Sequence, residues 1–519
     1  MNKFYLTKSD YCDCKHCKKL YWLKKFKPIN PDDDVAKKKK PILEKGNEVG
    51  ELAKGLFGDY NDIQQGTKRA MIEETERLML EKPNIITEAS FSYEDNFCQV
   101  DILKNDLDGV EIYEVKSSTS IYKKNSKKIK ERYLDDVAFQ YFVLSNLGLN
   151  VKKVCVVVLN NEYRLGRKLD IKELFKKEDF TSLVKGKEDK IRNNIDEFKK
   201  FIKEHRENDE PSIDIEMKCL DPHPCDYWEY CTQDLPKPNV FDLNGMNKSV
   251  KFEKYYDGKI SFEDLEDVLK QDLIEKPKSK KIAKCLEQVD FENNNKTAKI
   301  EEKPIEKTLE KIEQKYPLYF IDYETIQPAI PIFKGTKPYQ QIPFQYSLHI
   351  IKEKGAPLEH KEFLAKHDDN DMIRNFAKHM IKDMPEEGCV IVYNKKFEAE
   401  RNEEIGKLYP CFEEKMARFN RNMIDLMVPF KERDYYTKEM QGSYSLKYVL
   451  PALYPDDSEL DYSKLPVVHN GGEASEAFES LKDKSPKEQQ EIREGLLRYC
   501  ELDTLAMVKI WEKLKEKVG

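Results

Sequence analysis

The pattern of apolar and polar positions alternates between helical and strand periods in the first half of the chain. GNEVGELAKGLF, at 46–57, places four apolar residues on one helical face. NFCQVDIL and VEIYEVKS, separated by NDLDG, predict a β-hairpin. An apolar helix at 135–147 and a buried strand at VCVVVL follow. This order predicts a sheet covered by helices up to about residue 235.

The second half begins with three predicted strands, PLYFIDYE, PFQYSLHII and EFLA, and continues with a helix at 370–384, the strand CVIVY, a helix at 397–408, the strand MIDLMV and helices to the end. Such an order suits a mixed sheet covered by helices. We therefore predict an α/β multidomain protein with domains at 1–235 and 317–519, joined by a helical connector at 236–289 and a polar linker with one helix at 290–316.

Composition agrees with a folded, multidomain chain. A length of 519 residues exceeds what one hydrophobic core usually organises. The 28 Tyr and 25 Phe argue against disorder even though 36% of residues are charged. No apolar run approaches the ~18 residues that span a bilayer, and MNKFYLTKSDYCDC lacks the apolar region of a signal peptide. We expect a cytoplasmic protein without membrane contact.

A basic run stands out against the net charge of −7. Residues 116–132 carry seven basic groups and one acid. The run predicts a track for nucleic-acid phosphates, formed by Lys123, Lys124, Lys127 and Lys128. The alternative is a solvated, lysine-rich surface.

The predicted hairpin carries a first group of candidate catalytic residues. Side chains alternate across a strand, so Glu114 and Lys116 share a face. Asp101, on the neighbouring strand, can pair across to Glu114. Two converging carboxylates suit Mg²⁺ or Mn²⁺, and a nearby lysine can stabilise charge on a phosphate. The alternative is coincidence, because such strings are frequent in a highly charged chain.

The twelve cysteines fall into informative groups. Three lie near the N-terminus, three lie in KCLDPHPCDYWEYC, and the others are scattered. In a cytoplasmic chain these thiols are not expected to form structural disulfides.

Together with Gln140 on the following helix and the flanking cysteines, these motifs resemble the PD-(D/E)XK nucleases of the RecB type over residues 1–235. The iron–sulfur exonucleases associated with CRISPR adaptation are the most similar group. The resemblance implies a restriction-endonuclease-like fold with catalytic Asp101, Glu114, Lys116 and Gln140. It also implies that a cluster, most simply [4Fe–4S], is held by Cys17, Cys219, Cys225 and Cys231. Zinc on the same thiolates is the alternative, and Cys12 or Cys14 is a possible substitute for Cys17.

Two positions depart from that family. The metal-binding His of its first helix corresponds to Gly50, with Glu48 and Glu51 as possible replacements. The Tyr of the Q-x-x-x-Y element corresponds to Leu144. Since the basic run leaves the active-site strand at Lys116, the resemblance favours the phosphate track.

A second group of acids begins in FIDYETIQP. Asp322 and Glu324 share a strand face, and their apolar neighbours predict a central strand. Unpaired carboxylates are costly there, so a metal would explain them. An edge strand with both carboxylates in water is the alternative.

Two further motifs match. VYNKKFEAER places Glu398 at a strand-to-helix junction, and LLRYCELDTLAM places Tyr499 and Asp503 on one helical face. Together they resemble the DnaQ-like, RNase H-fold 3′–5′ exonucleases, whose acids hold two metals. The resemblance implies metal ligation by Asp322, Glu324, Glu398 and Asp503, with Tyr499 orienting the water. Residues 317–519 also resemble an uncharacterised bacterial domain that is fused to RecB-like nucleases.

These features predict a metal-dependent nuclease with two active sites that use Mg²⁺ or Mn²⁺. We expect it to hydrolyse DNA, as single strands or at ends, in processing, repair, CRISPR adaptation or phage defence, with or without partner proteins. One alternative is a nucleic-acid-binding scaffold in which one or both sites are degenerate. Another is an RNA-processing exonuclease, with RNA as the partner.

Overall fold

A computed structural model of the protein describes residues 5–31, 33–81 and 83–518. The chain is an α/β multidomain protein with mixed sheets, and it divides into two compact units. The first contains Met1–Gln233 and Pro328–Gln340, and the second contains Asp234–Gln327 and Gln341–Gly519. The helices expected between two domains thus belong to the second unit, and a short segment from the predicted C-terminal domain belongs to the first.

The first unit is built on a mixed sheet. Its strands, within the described residues, are β1 Leu6–Thr7, β2 Asn61–Asp62, β3 Ile85–Tyr93, β4 Asn96–Asp106, β5 Gly109–Lys116, β6 Val151–Leu159 and β7 Phe175–Asp179. The order is β2-β3-β4-β5-β6-β7, with β1 beside β4. β4 and β5 form the predicted antiparallel hairpin, whereas β6 runs parallel to β5.

Helices cover both faces of this sheet. They are α1 Lys8–His16, α2 Lys18–Phe26, α3 Asp34–Lys54, α4 Lys68–Glu81, α5 Glu131–Asn146, α6 Ile171–Leu174, α7 Thr181–Val184, α8 Glu188–Glu204 and α9 Trp228–Thr232. The larger core lies between the sheet and α1, α5 and α8. On the other face α3 packs with Ala329 and Ile330, which explains why the 328–340 segment belongs to this unit.

The second unit contains a larger mixed sheet and a small two-stranded one. Its strands in the described residues are β8 Ala298–Ile300, β9 Leu318–Ile326, β10 Ile342–Ile351, β11 Glu359–Leu364, β12 Cys389–Val392, β13 Met423–Asp425 and β14 Tyr435–Thr437. The larger sheet has the order β11-β10-β9-β12-β13. β9, β10 and β11 are antiparallel neighbours, and β12 is parallel to both β9 and β13. β9 is therefore the central strand that its apolar residues predict.

The helices of the second unit are α10 Lys248–Tyr256, α11 Phe262–Glu275, α12 Lys280–Asn293, α13 Glu302–Glu313, α14 Met372–Asp383, α15 Lys395–Leu408, α16 Glu413–Arg421, α17 Val428–Lys431, α18 Leu446–Leu453, α19 Gly471–Ser480 and α20 Pro486–Val518. α20 packs on β9 and β10, and α19 packs on β9. These contacts bring the end of the chain to the central strand.

Three local features differ from the sequence-based expectations. The helix expected at 46–57 is the end of the longer α3, followed by a short 3-10 turn. The polar stretch at 290–316 includes the strand β8. The strand β14 pairs with β8 in a region where only helices are expected. Across the described ranges, no helix combines the length and apolar character needed to cross a membrane.

Candidate active sites

The hairpin of the first unit places the predicted acids together. Ile102 pairs with Tyr113, so continuing the antiparallel register by one residue sets Asp101 opposite Glu114. Asp101 Oδ2 accepts a hydrogen bond of 2.6 Å from the backbone N–H of Val115. The register thus brings two carboxylates to one point on the sheet.

Glu114 is fully engaged by neighbouring donors. Its Oε1 accepts from the ammonium groups of Lys8, at 2.6 Å, and Lys116, at 2.7 Å. Its Oε2 accepts from Gln140 Nε2, on α5. Lys116 also contacts Asp136, one helical turn before Gln140. Two ammonium groups therefore lie among three carboxylates.

The electrostatics of this cluster follow from that pairing. Burial opposes ionisation of Glu114, but the charges of Lys116 and Lys8 outweigh it and lower the pKa to about 2. Asp101 behaves oppositely, because burial and the Glu114 charge raise its pKa to about 7. Glu114 is thus ionised at neutral pH, while Asp101 titrates near it.

Sequence reasoning missed two members of this group. Lys8 is 106 residues from Glu114, and no local period links them. Asp136 lies four residues before Gln140, a spacing that places both on one helical face. This spacing from Gln140 was the sequence signal that could have identified Asp136 as a member of the group.

The positions that depart from the RecB-type pattern have different surroundings. Space is open around Gly50, where an added Cβ would meet no atom within 4 Å. Glu51 forms an ion pair with Lys54, and Glu48 is exposed. Leu144 is buried in the core of the unit.

The four cysteines named for a cluster are neighbours. Cys17, Cys225 and Cys231 pack around one small apolar group with Trp22 and Tyr227. The backbone N–H of Cys225 donates to the carbonyl of Cys219 at 2.7 Å. Burial and the adjacent thiols raise the pKa of Cys231 to about 11. Cys12 and Cys14 lie instead in the main core of the unit, where Cys12 donates to Asp136.

Two cofactors suit these thiols. Four thiolates bind a zinc ion through Zn–S bonds of about 2.3 Å, and four thiolates also hold an iron–sulfur cluster. Among described residues, the groups of three or more His, Cys, Asp or Glu ligand atoms that lie within 4.8 Å of one another contain no cysteine.

The predicted phosphate track lies on a turn between β5 and α5. Lys123, Lys124, Lys127 and Lys128 are all exposed. The turn is closed by the backbone hydrogen bond from Lys123 N to Lys128 O, at 2.8 Å. Lys123 also forms an ion pair with Asp221.

The second unit gathers its predicted acids around β9. Oxygens of Asp322, Glu324 and Asp503 all lie within 4.8 Å of one another. Asp322 and Glu324 point from one face of β9, and Asp503 comes from α20. Glu398, in the first turn of α15, is near enough for its charge to raise the pKa of Asp322 and Glu324. Four acids that are distant in sequence thus contribute to one site.

Burial dominates the ionisation of these acids. It raises the pKa of Asp503 to about 7, although hydrogen bonds from Tyr462 and Tyr499 act in the opposite direction. It raises the pKa of Glu398 to about 8. The pKa of Asp322 lies well above its ordinary value through burial and the charges of Asp503 and Glu398. A divalent cation would relieve this repulsion and favour the ionised forms.

Two donors surround Asp503. Tyr499 lies one turn before it on α20, as predicted, and donates to its carboxylate. Tyr462, which sequence reasoning missed, donates to Asp503 Oδ1 at 2.6 Å. These hydrogen bonds fix the direction of the carboxylate, as partners of metal ligands do.

The loop VVHNGG and Lys447 also lie close to the acids of this site. α19 begins at Gly471, where a Cβ would lie only 3.3 Å from Glu324 Oε2. Lys447 is close enough to lower the pKa of both Glu324 and Asp503. Spacing alone assigned no role to either feature, since both are remote from the acids in sequence.

Comparison with family models gives a match to part of the chain. A family model described as a domain of unknown function (DUF2779) matches residues 319–445. The matched segment includes Asp322, Glu324 and Glu398 but ends before Tyr499 and Asp503. No curated protein and no solved structure matches the chain.

Proposed function

We propose that the protein is a metal-dependent nuclease that hydrolyses phosphodiester bonds of DNA, as single strands or at ends, with its principal active site in the second unit. The observation that carries this proposal is the meeting of Asp322, Glu324 and Asp503 within 4.8 Å at the central strand. Hard oxygen ligands of this kind suit Mg²⁺ or Mn²⁺. DNA processing, repair and phage defence are the settings that need such an activity.

The strand order supports an RNase H-like assignment for residues 317–519. Three antiparallel strands are followed by two parallel ones in the order β11-β10-β9-β12-β13, with the D-x-E pair on the central strand. The antiparallel β4–β5 hairpin, followed by α5 and the parallel β6, supports a PD-(D/E)XK assignment for the first unit.

The residues of this site have different proposed roles in the cleavage reaction. Asp322, Glu324, Glu398 and Asp503 would hold the metal ions. When bound, such ions supply an activated water and stabilise the leaving oxygen of the phosphodiester. Tyr499 donates a hydrogen bond to Asp503, and its hydroxyl oxygen would orient the attacking water. Burial excludes competing solvent from Glu324 and Glu398, which are 8% and 2% exposed.

The first unit supports a second candidate function, a nucleic-acid-binding module with a degenerate nuclease site. The specific observation is that Lys8 and Lys116 both bind Glu114 Oε1, where a metal ligand would need its lone pair. The exposed lysines after β5 would then bind phosphates without cleavage. The acids of the second unit offer three converging carboxylates to a metal ion, whereas Glu114 is already bound by two lysines.

A cleavage assay tests both candidates. DNA and RNA strands labelled at the 5′ or the 3′ end are incubated with Mg²⁺ or Mn²⁺ and with the parent, Asp322→Asn, Lys116→Ala or the double variant. Asp368→Asn, at an exposed turn, is the matched control. We expect Asp322→Asn to abolish most cleavage and the control to retain it. Cleavage by the double variant equal to that of the parent would refute the nuclease proposal.

A further inference from the structure

A second group of potential metal ligands lies in the second unit, apart from the acids described above. His349 on β10, His360 on β11 and Glu501 on α20 each offer one ligand atom, and these atoms all lie within 4.8 Å of one another. Nδ1 of His360 is 4.0 Å from Glu501 Oε1. The group combines two imidazoles with one carboxylate, a different donor set from the oxygen-only acids at β9.

Hydroxyl contacts determine which imidazole nitrogens carry protons. Thr504 Oγ1 contacts the carbonyl oxygen of Glu501 at 3.0 Å, Ser347 Oγ at 2.7 Å and His349 Nδ1 at 2.8 Å. Ser347 Oγ also contacts His360 Nε2 at 2.9 Å. A carbonyl oxygen can only accept, so the single Thr504 hydroxyl proton goes to Glu501. Ser347 and His349 must then donate to Thr504, and His360 must donate to Ser347.

This is the one arrangement of protons in which all four contacts are hydrogen bonds. It leaves the lone pairs on Nε2 of His349 and Nδ1 of His360. Each imidazole is thus oriented by a hydroxyl through one nitrogen and presents the other as an acceptor. Metal-binding histidines are held in this way by outer partners.

The surroundings of His349 agree with a neutral imidazole. Burial and the His360 ring lower the pKa of His349 to about 4. His349 is 4% exposed, whereas His360 and Glu501 are more open to solvent, which gives an ion a route of entry. Glu362, two residues after His360, is near enough to both His360 and Glu501 for their ionised forms to shift its pKa. It is a candidate fourth ligand.

We propose that His349, His360 and Glu501 bind a first-row transition-metal dication of the zinc class. Two imidazole nitrogens and a carboxylate suit Zn²⁺, and they do not suit Mg²⁺, which prefers oxygen ligands. The site links β10, β11 and α20. Glu501 lies between Tyr499 and Asp503 on α20, so a bound ion fixes the rotation of this helix against the sheet. This role is structural, and its ligands are different residues from those of the proposed nuclease site.

Zinc stoichiometry tests the proposal. Full-length protein is titrated with Zn²⁺ against a chromophoric chelator, with excess Mg²⁺ to occupy the oxygen-only sites. The variants are His360→Gln and Glu501→Gln, and His367→Gln, an exposed histidine outside the group, is the matched control. We expect the first two to bind one zinc fewer per chain than the parent, and the control to bind the same number. The cysteines are unchanged in all four proteins and so do not contribute to the difference.

Three further measurements, of Tm, circular dichroism and zinc affinity, separate a ligand role from loss of the fold. Zinc should raise the Tm of the parent and of His367→Gln by more than that of Glu501→Gln, whose circular dichroism should match the parent. Thr504→Val removes the orienting hydroxyl and should weaken zinc binding about 10- to 100-fold. Equal zinc stoichiometry in the parent, His360→Gln and Glu501→Gln overturns the proposal. Because the readout is metal binding, its failure is distinct from a failure of the nuclease proposal.

Discussion

One oxygen of Glu398, Oε2, is buried and has no hydrogen-bond partner among the residues that the structure describes. A buried carboxylate oxygen without a partner is costly. Neighbouring Asp322 and Glu324 add repulsion, and burial raises the pKa of Glu398 to about 8. A cation would satisfy the oxygen and compensate the charge, which makes Glu398 a sensitive probe of metal binding.

We expect Glu398→Gln to slow DNA cleavage at least about 100-fold, because it removes a charge that would hold the metal. Glu398→Asp keeps the charge but shortens the side chain, and a loss of about 10-fold is expected. Single-turnover cleavage rates over a range of Mn²⁺ concentrations measure both effects. Glu403→Gln, exposed on the same helix, is the control. Full activity of Glu398→Gln would contradict a ligand role.

Lys8 is the corresponding probe in the first unit. Its ammonium group is largely buried against Glu114, so Lys8→Ala leaves a buried charge less compensated. Breaking such a pair costs about 3 kcal/mol of the free energy of unfolding. If Glu114 can bind a metal, Mn²⁺ should restore part of this loss. Urea unfolding in the Asp322→Asn background measures the effect without the principal acid site.

The control for Lys8 is an exposed ion pair. Lys18 pairs with Glu197, whose side chain is 56% exposed, so Lys18→Ala should cost only about 0–1 kcal/mol. If Mn²⁺ raises the free energy of unfolding of the parent and of Lys8→Ala by the same amount, Lys8 does not compete with a metal at Glu114.

At the scale of elements, local periodicity predicted those strands, helices and side-chain groupings that depend on residues close together in the sequence. The alternation in FIDYETIQP predicted β9 and its shared acidic face, and the i, i+4 spacing predicted Tyr499 beside Asp503. The three-residue strands β8 and β14 are too short to show a period. Contacts such as Lys8 with Glu114 or Tyr462 with Asp503 join distant segments, and a single sequence carries no signal for them.

The segment that carries Cys219, Cys225 and Cys231 ends in α9, while Cys17 lies between α1 and α2. A cluster would therefore join the two ends of residues 1–233. We expect purified protein to contain iron and sulfide, and Cys231→Ser to lose both and to lower the Tm. Cys411→Ser, at an exposed position, should lose neither. Iron, sulfide and zinc analyses check this, and zinc without iron in the parent would contradict the iron–sulfur assignment.

At the scale of the whole molecule, the two acid clusters differ in how far positively charged neighbours compensate their negative charge. Glu114 is paired with lysines, and its pKa is low. Glu398 and Asp503 have raised pKa values, and Asp101 shares this direction. An acid whose pKa is raised by folding stabilises the fold while it is protonated in both states, and this contribution is lost as the pH rises through the folded pKa. The metal-free protein should therefore lose stability between about pH 4 and pH 8.

We expect the Tm of the metal-free protein to fall from pH 5 to pH 8, and Mg²⁺ to restore it at pH 8, since ionised carboxylates bind the cation once protons have left. Replacing both Asp503 by Asn and Glu398 by Gln removes two of the titrating groups. The double variant should show a shallower fall and less recovery with Mg²⁺, whereas Glu353→Gln, at an exposed turn, should follow the parent. Differential scanning calorimetry in chelator, with and without excess Mg²⁺, measures this. An equally steep fall in parent and double variant would place the pH dependence outside the acid site of the second unit.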